Sequence, residues 1–294
     1  MKSGFVAILG RPNVGKSTII NNIVNHKVSI VTEKSQTTRN NIIGIYNASD
    51  CQIVFVDTPG IHKPHKQLGQ EMNNMAYSAA HDVEVAILVV DASKPFGEGD
   101  QFIIDHLDIH NRPLVIVFNK IDLARLDKAN ALKEVYRNIF PKAIFIDTVA
   151  KDRFNIDKLI KTVTDLLPEG PAYYPLDMIT DKDEVFQIKE IIREKILKCL
   201  REEVPHSIAI YIDNIEWEHK PIQIFASIMV EKDSQKAIVI GERGRMIKLI
   251  GSNARVDIEK LLKQHVYLDL QVKVDEDWQN EPKSLKTYGY KYEK

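Results

Sequence analysis

Short runs that are apolar at every position recur through the first half of the chain: Phe5-Val6-Ala7-Ile8-Leu9, Ile53-Val54-Phe55-Val56, Val85-Ala86-Ile87-Leu88-Val89-Val90, Leu114-Val115-Ile116-Val117-Phe118 and Ala143-Ile144-Phe145-Ile146. Runs of this length without alternation belong to strands buried on both faces. Between them, near Leu68–Ala80, Gly99–His110, Lys128–Ile139 and Ile156–Leu167, the pattern is that of amphipathic helices. Strands alternating with helices in this way predict an α/β domain, a mostly parallel sheet with helices on both faces. The segment Pro168-Glu169-Gly170-Pro171-Ala172-Tyr173-Tyr174-Pro175 is dense in breakers and interrupts the alternation. The boundaries expected are 1–170 for the first domain, 171–183 for a linker and 184–294 for a second domain.

From Glu184 the pattern differs. Val185, Ile188, Ile192, Ile196 and Cys199 make one apolar face of a charged helix. Strand-like stretches follow at Ile208–Ile215 and Ile222–Val230, then a further apolar run at Ala237–Ile240. Beyond a Gly241–Gly244 turn, Ile247, Ile250, Ala254, Ile258 and Leu261 share one side of a helix, and a last strand is expected over Val266–Val274. Helix, two strands, helix, turn, helix and strand predict a smaller α+β module.

Composition narrows the partners. A hydrophobic content of 44% supplies packed cores, and 28% charged residues is ordinary for a soluble protein. The net charge of −1 provides no global basic field, so any nucleic-acid site must be a local patch. Cys51 and Cys199 have no metal-ligand spacing and read as buried free thiols of a reducing cytosol. No apolar run is long enough to cross a bilayer, and no signal peptide precedes the first strand, so a cytoplasmic protein is expected.

The chemistry is concentrated at strand ends. Gly10-Arg11-Pro12-Asn13-Val14-Gly15-Lys16-Ser17-Thr18 follows the first strand and opens a helix, the context of a phosphate-binding loop. Gly10 and Gly15 let the backbone aim N–H groups at phosphate oxygens, Lys16 brings charge to the β- and γ-phosphates, and the Ser17 hydroxyl can ligate Mg²⁺. Asp57-Thr58-Pro59-Gly60 ends the Ile53–Val56 run; Asp57 sits where a Mg²⁺-associated carboxylate belongs, and the Gly60 N–H can bond a γ-phosphate. In Gln36-Thr37-Thr38-Arg39, before an expected second strand, one of the two threonines, Thr38 in preference to Thr37, is the candidate to close over Mg²⁺ and the γ-phosphate. Asn119-Lys120-Ile121-Asp122 follows Phe118 and selects the base. The Asp122 carboxylate can accept both the N1–H and the N2 amine of guanine, donors that adenine lacks, which argues against an ATP-dependent kinase. Asn119 suits the O6/N7 edge and the tying of loops, and the Lys120 stem can lie along the base.

The order G-R-P-N-V-G-K-S, Q-T-T-R, D-T-P-G-I-H-K-P and N-K-I-D resembles the Era family of bacterial GTPases, within the TrmE-Era-EngA-like group. The resemblance continues through Val204-Pro205-His206-Ser207, Gly241-Glu242-Arg243-Gly244 and Leu268-Asp269-Leu270-Gln271-Val272-Lys273-Val274, and so covers nearly the whole chain. It implies a P-loop GTPase domain followed by a type II KH domain. Gly241, Glu242, Arg243, Gly244, Arg245 and Lys248, with Arg255 nearby, are then the RNA-binding candidates, because a G-x-x-G turn clamps a nucleic-acid backbone. Catalysis falls to Lys16, Thr38, Asp57 and Gly60, with Ser17, Thr38 and Asp57 around Mg²⁺. The position where Ras-like enzymes keep a water-orienting Gln is Ile61, so slow intrinsic hydrolysis is expected. Relatives with Asn at the position of Asn13 hold K⁺ there, which implies K⁺-stimulated turnover. Family members carry Ser-Ala in the fifth motif, where this chain has Val149-Ala150; Ala150 is the candidate backbone contact to guanine O6, and the missing hydroxyl predicts looser support for Asp122.

The resemblance further implies a monomer that binds the 3′ end of 16S rRNA during 30S assembly and associates peripherally with the cytoplasmic side of the membrane. A signalling GTPase whose second domain binds a protein is an alternative; it would lack salt-dependent RNA affinity. An RNA-modification GTPase would need its own chemistry for the base or a partner subunit, and the second domain shows no catalytic cysteine or metal-ligand cluster.

Overall fold

The computed structural model describes residues 1–34, 36–107, 112–200 and 204–291. The all-apolar runs become β1 (Lys2–Gly10), β3 (Cys51–Asp57), β4 (Val85–Asp91), β5 (Leu114–Asn119) and β6 (Ile144–Thr148), with β2 (Ile42–Asn47) added beside β3. Sheet order is β2-β3-β1-β4-β5-β6, and every pairing is parallel except β2 with β3. The periodic stretches become α1 (Lys16–Ile23), α2 (Gln67–His81), α3 (Glu98–His106), α4 (Leu126–Ile139) and α5 (Ile156–Leu166). The expected helix over Gly99–His110 thus ends at His106, and the remainder of that stretch, 108–110, lies outside the described residues.

Both faces of the sheet are covered, which is why its strands carry no polar alternation. On one side Ile19, Ile20, Ile156, Leu159 and Val163 pack on Val6, Ile8 and Phe55; on the other Ala76, Ile103, Leu132 and Tyr136 pack on Ala7, Leu9, Leu88 and Phe118. The chain leaves β1 toward β3 on one side and toward β4 on the other. The crevice at the carboxyl end of β1 is therefore the switch point at which open α/β sheets bind ligands.

The second module starts with α6 (Glu184–Cys199), capped by the Asp183 carboxylate, which accepts from the Phe186 N–H at 2.7 Å. It continues through β7 (Ala209–Glu216), β8 (Ile222–Val230), α7 (Asp233–Ile240), α8 (Arg245–Leu262), β9 (Val266–Val274) and α9 (Pro282–Tyr288). β8 pairs antiparallel with β7 and parallel with β9. Ile188, Ile192, Ile196, Ile250, Ala254 and Ile258 lie on that sheet as one core. Cys51 is buried, whereas Cys199 is only half-buried; both are free thiols. The α9 helix had no counterpart in the sequence reading.

Residues 171–183 do not hang free. Buried Gln52 accepts from the Tyr173 and Tyr174 N–H groups and donates to Tyr174 O, while Ile45 N–H donates to Ile179 O at 2.8 Å. With Asn47 Nδ2 donating to Met178 O, residues 178–179 cover part of the outer edge of β2.

A separate apolar cluster joins the modules: Leu68 and Met72 of α2 pack with Ala209, Trp278, Leu285, Tyr288 and Tyr290. The second module also caps α2, since Asn280 Oδ1 accepts from Gln67 N–H (3.1 Å) and Gln279 O from Leu68 N–H (2.9 Å). Leu285 is fully buried there. Leu285→Ala is expected to lower the unfolding free energy of the full chain by about 2–5 kcal/mol, the cost of a buried cavity. Denaturant titration followed by Trp fluorescence measures it, and a loss below about 0.5 kcal/mol would mean the cluster holds nothing together.

Candidate nucleotide site and nucleic-acid interface

At the carboxyl end of β1 the chain turns through Gly15, whose φ of +104° suits glycine, and a side chain there would collide with the Asn119 amide. Gly60 is constrained by approach: an added Cβ would lie 2.7 Å from the Pro12 backbone. α1 starts at Lys16 without a side-chain cap, leaving its first-turn N–H groups for an anion.

These elements border one cleft of about 820 Å³, lined by Pro12, Asn13, Gly15, Lys16, Ser17, Thr18, Thr38, Gly60, Asn119, Lys120, Asp122 and Ala150. Other sequence candidates hold the loop from behind. Arg11 turns away to pair with Asp100 at 2.9 Å, Val14 is buried in the core, and the Thr58 hydroxyl donates to Ile8 O at 2.7 Å. Residues outside those motifs add to the walls, among them Val31, Glu33 and Lys151, and from the second module Leu197 and Lys198 of α6.

Lys16 is buried, its ammonium donating to Gly10 O (3.1 Å) and Arg11 O (2.9 Å). Burial pushes its pKa down to about 8, opposed in part by the Asp57 charge. Burial also raises the Asp57 carboxyl, and Lys16 opposes that shift. Ser17 Oγ donates to Asp57 Oδ2 at 2.7 Å and lies 2.9 Å from Thr38 Oγ1. Asp57 Oδ1 is buried without a hydrogen-bond partner. Converging oxygens, one of them orphaned, suit a hard divalent cation that brings its remaining ligands as water and phosphate.

The base end is held by Asn119. Its amide donates to Val14 O (2.8 Å), and its Oδ1 accepts from Ala150 N–H (2.9 Å) and Thr148 Oγ1 (3.2 Å), so one side chain ties three loops. The Ala150 N–H assigned to guanine O6 is thus already engaged, and reaching a base requires it to be shared. The loop carrying Ala150 is fixed by a Val149–Phe154 backbone bridge and by Asn22 donating to Ala150 O, neither of which needs a hydroxyl at 149. Asp122 pairs with Lys151 at 2.7 Å. Lys120 donates to Asn13 O and to Asp91, each at 2.7 Å.

Ile61 faces the apolar core between sheet and α2, away from the cleft. His62 Nδ1 is 2.9 Å from Gly60 O, an acceptor only, so Nδ1 carries the proton and Nε2 accepts from the Gln36 amide at 3.1 Å. This histidine joins the two loops that face the phosphate end. His65 is exposed.

In the second module Gly241 (φ +72°), Arg243 (φ +52°) and Gly244 (φ +76°) form the turn between α7 and α8. Glu242, Arg243, Arg245, Lys248 and Arg255 are exposed around it, and Ile238 and Leu249 offer half-exposed apolar surface beside it. Cations next to apolar surface, on a backbone that bulky side chains do not block, have the chemistry that suits single-stranded nucleic acid.

Residues 5–120 match the family described as 50S ribosome-binding GTPase, and residues 203–279 match the KH domain family. The chain is 47% identical over 295 residues to GTPase Era of Leuconostoc citreum, covering 99% of this chain and 97% of that one. It is similar to the crystal structure of a variant of Aquifex aeolicus Era bound to GDP·AlF4⁻, with a TM-score of 0.93, 37% identity and coverage of 99% and 100%. It is equally similar to a crystal structure of Era in complex with MgGDPNP and nucleotides 1506–1542 of 16S ribosomal RNA, with a TM-score of 0.94, 37% identity and the same coverage. With both motif sets in place and a relative of this identity matching end to end, the chain belongs to the Era GTPase family.

Proposed function

We propose that the cleft binds GTP and GDP with Mg²⁺ and hydrolyses GTP, and that the second module binds the 3′ end of small-subunit ribosomal RNA. The observation that carries the first part is a single cleft lined by both the phosphate loop and Asp122, one end chemically suited to phosphates and the other to guanine. In this reading Lys16 and the loop N–H groups neutralise charge that develops as water attacks the γ-phosphorus in line. Ser17, Thr38 and Asp57 would hold Mg²⁺, which supplies further neutralisation when bound. The similar A. aeolicus structure holds GDP·AlF4⁻ and the RNA-bound one MgGDPNP, which supports a Mg²⁺-dependent GTPase. Water positioning falls to groups other than residue 61, whose side chain is in the core.

Asn in place of Asp122 keeps one acceptor for guanine N1–H but sets an amide donor against the N2 amine. GDP affinity of Asp122→Asn should fall by about a hundredfold or more, while xanthosine diphosphate, whose C2 carbonyl accepts from an amide, should bind better than to the parent. Fluorescence titration with both nucleotides measures this, and an equal loss for both would remove Asp122 from base recognition.

Lys16 provides a pH signature. With a pKa of about 8 in the free protein, much of it is neutral by pH 8.5, and a bound phosphate restores the charge. Binding should therefore take up most of a proton at pH 8.5, and affinity should decline as pH rises through 8. Calorimetry in buffers of different ionisation heat reads the uptake; none would mean that Lys16 is already fully charged in the free protein or does not meet the phosphate.

For the RNA part, the support is the exposed cationic turn together with the 16S rRNA segment held by the similar Era structure. Assembly of the 30S subunit, a monomeric state and peripheral association with the cytoplasmic side of the membrane extend this reading from the family resemblance. No helix among the described residues is long and apolar enough to cross a membrane. An oligonucleotide of the rRNA 3′ end should bind more tightly with a nonhydrolysable GTP analogue than with GDP. Gly244→Asp, which adds negative charge at an open position of the turn, should weaken it about tenfold or more. Absence of salt-dependent binding to this oligonucleotide in every nucleotide state would favour a protein partner for this module.

A further inference from the structure

The loop that carries Thr38 is fastened to the second module by its neighbours. Arg39 is buried between the modules, where its guanidinium donates to Ile208 O (2.6 Å) and His206 O (2.9 Å). The same group lies 5.8 Å from the Trp278 ring centroid and 5.4 Å from that of Tyr290. From the other side Arg193 of α6, also fully buried, donates to Thr37 O while Glu190 holds it in place (Nε–Oε1 2.8 Å). The segment that receives Arg39 is itself held: Gln279 Nε2 donates to His206 O, and Trp278 Nε1 to the intervening Ser207 O, each at 2.9 Å. Thr38 therefore has an anchored residue on each side, and its hydroxyl lies 2.9 Å from that of Ser17.

We propose that Arg39 is a positioning residue, through which the second module presents Thr38 to the cation and γ-phosphate. This rests on the GTP-binding reading above. GDP has no γ-phosphate for Thr38 to meet, so the anchor matters for one nucleotide and not the other. A merely structural role would affect both alike.

The full chain with Arg39→Lys tests it. Lysine keeps the charge, but a single ammonium cannot bridge two carbonyls in a fixed fork or lie flat against the rings. Affinities for GDP and for a nonhydrolysable GTP analogue are measured with Mg²⁺ and with EDTA. Analogue affinity with Mg²⁺ should fall about tenfold or more while GDP affinity stays within about twofold, and chelation should remove most of the difference. Trp278→Phe, on the second module and remote from the cleft lining, removes the indole N–H that fixes Ser207 and should shift the ratio in the same direction. That variant decides the matter if Arg39→Lys does not fold. An unchanged ratio, or a parallel loss for both nucleotides, overturns the proposal; retained GDP binding in either case leaves the nucleotide site itself standing.

Discussion

An ammonium and a carboxylate buried at the carboxyl ends of adjacent strands are the constraint around which the first domain is arranged. Charges taken out of water are costly unless paired and fully hydrogen-bonded, and Lys16 and Asp57 compensate one another only in part. Lys16 spends its protons on two loop carbonyls, and Asp57 leaves one oxygen without a partner. Much else serves this pair. The parallel sheet places it at the switch point, Gly15 and Gly60 admit close backbone approach, and the uncapped start of α1 adds positive potential. An anion together with a divalent cation relieves what the protein alone leaves uncompensated.

The strands of the sheet were legible because a run buried on both faces has only one way to look, and the phosphate loop because its spacing is fixed by backbone geometry. Asp122 and Thr38 were legible from motif order. Elements whose signal lies in tertiary contact were not. The Ala150 N–H is taken by Asn119, which no local pattern states. Helix α9 is short, and Leu285 and Tyr288 are buried against partners far away in sequence. Arg193 is spaced like any polar residue on a charged helix, yet it is fully buried against Glu190 and Thr37. Arg39 carried one usable clue, its place next to Thr38.

The loop that carries Thr38 and the start of α2 meet two neighbouring stretches of the second module. The 206–208 carbonyls and the Trp278–Asn280 stretch receive Arg39 on one side and the first turn of α2 on the other. Hydrogen bonds to a charged donor and an external helix cap are directional, so a shift of either segment by an ångström or two would weaken several at once. The interface thus has the sharp distance dependence of a detent. The apolar cluster of Leu68, Met72 and Leu285 supplies less directional cohesion.

The tie of Ile179 to β2 restricts how far the modules can separate. Ile179 is bonded to β2 and α6 begins at Glu184, so only 180–183 can act as leash. Four extended residues reach at most about 14 Å. If the modules part, the second one stays within that radius, at an effective concentration on the order of millimolar or above. Redocking is then a unimolecular search over a small volume, and weak contacts suffice to make the docked arrangement populated and quickly regained. The chain can exchange states often without ever losing its own partner.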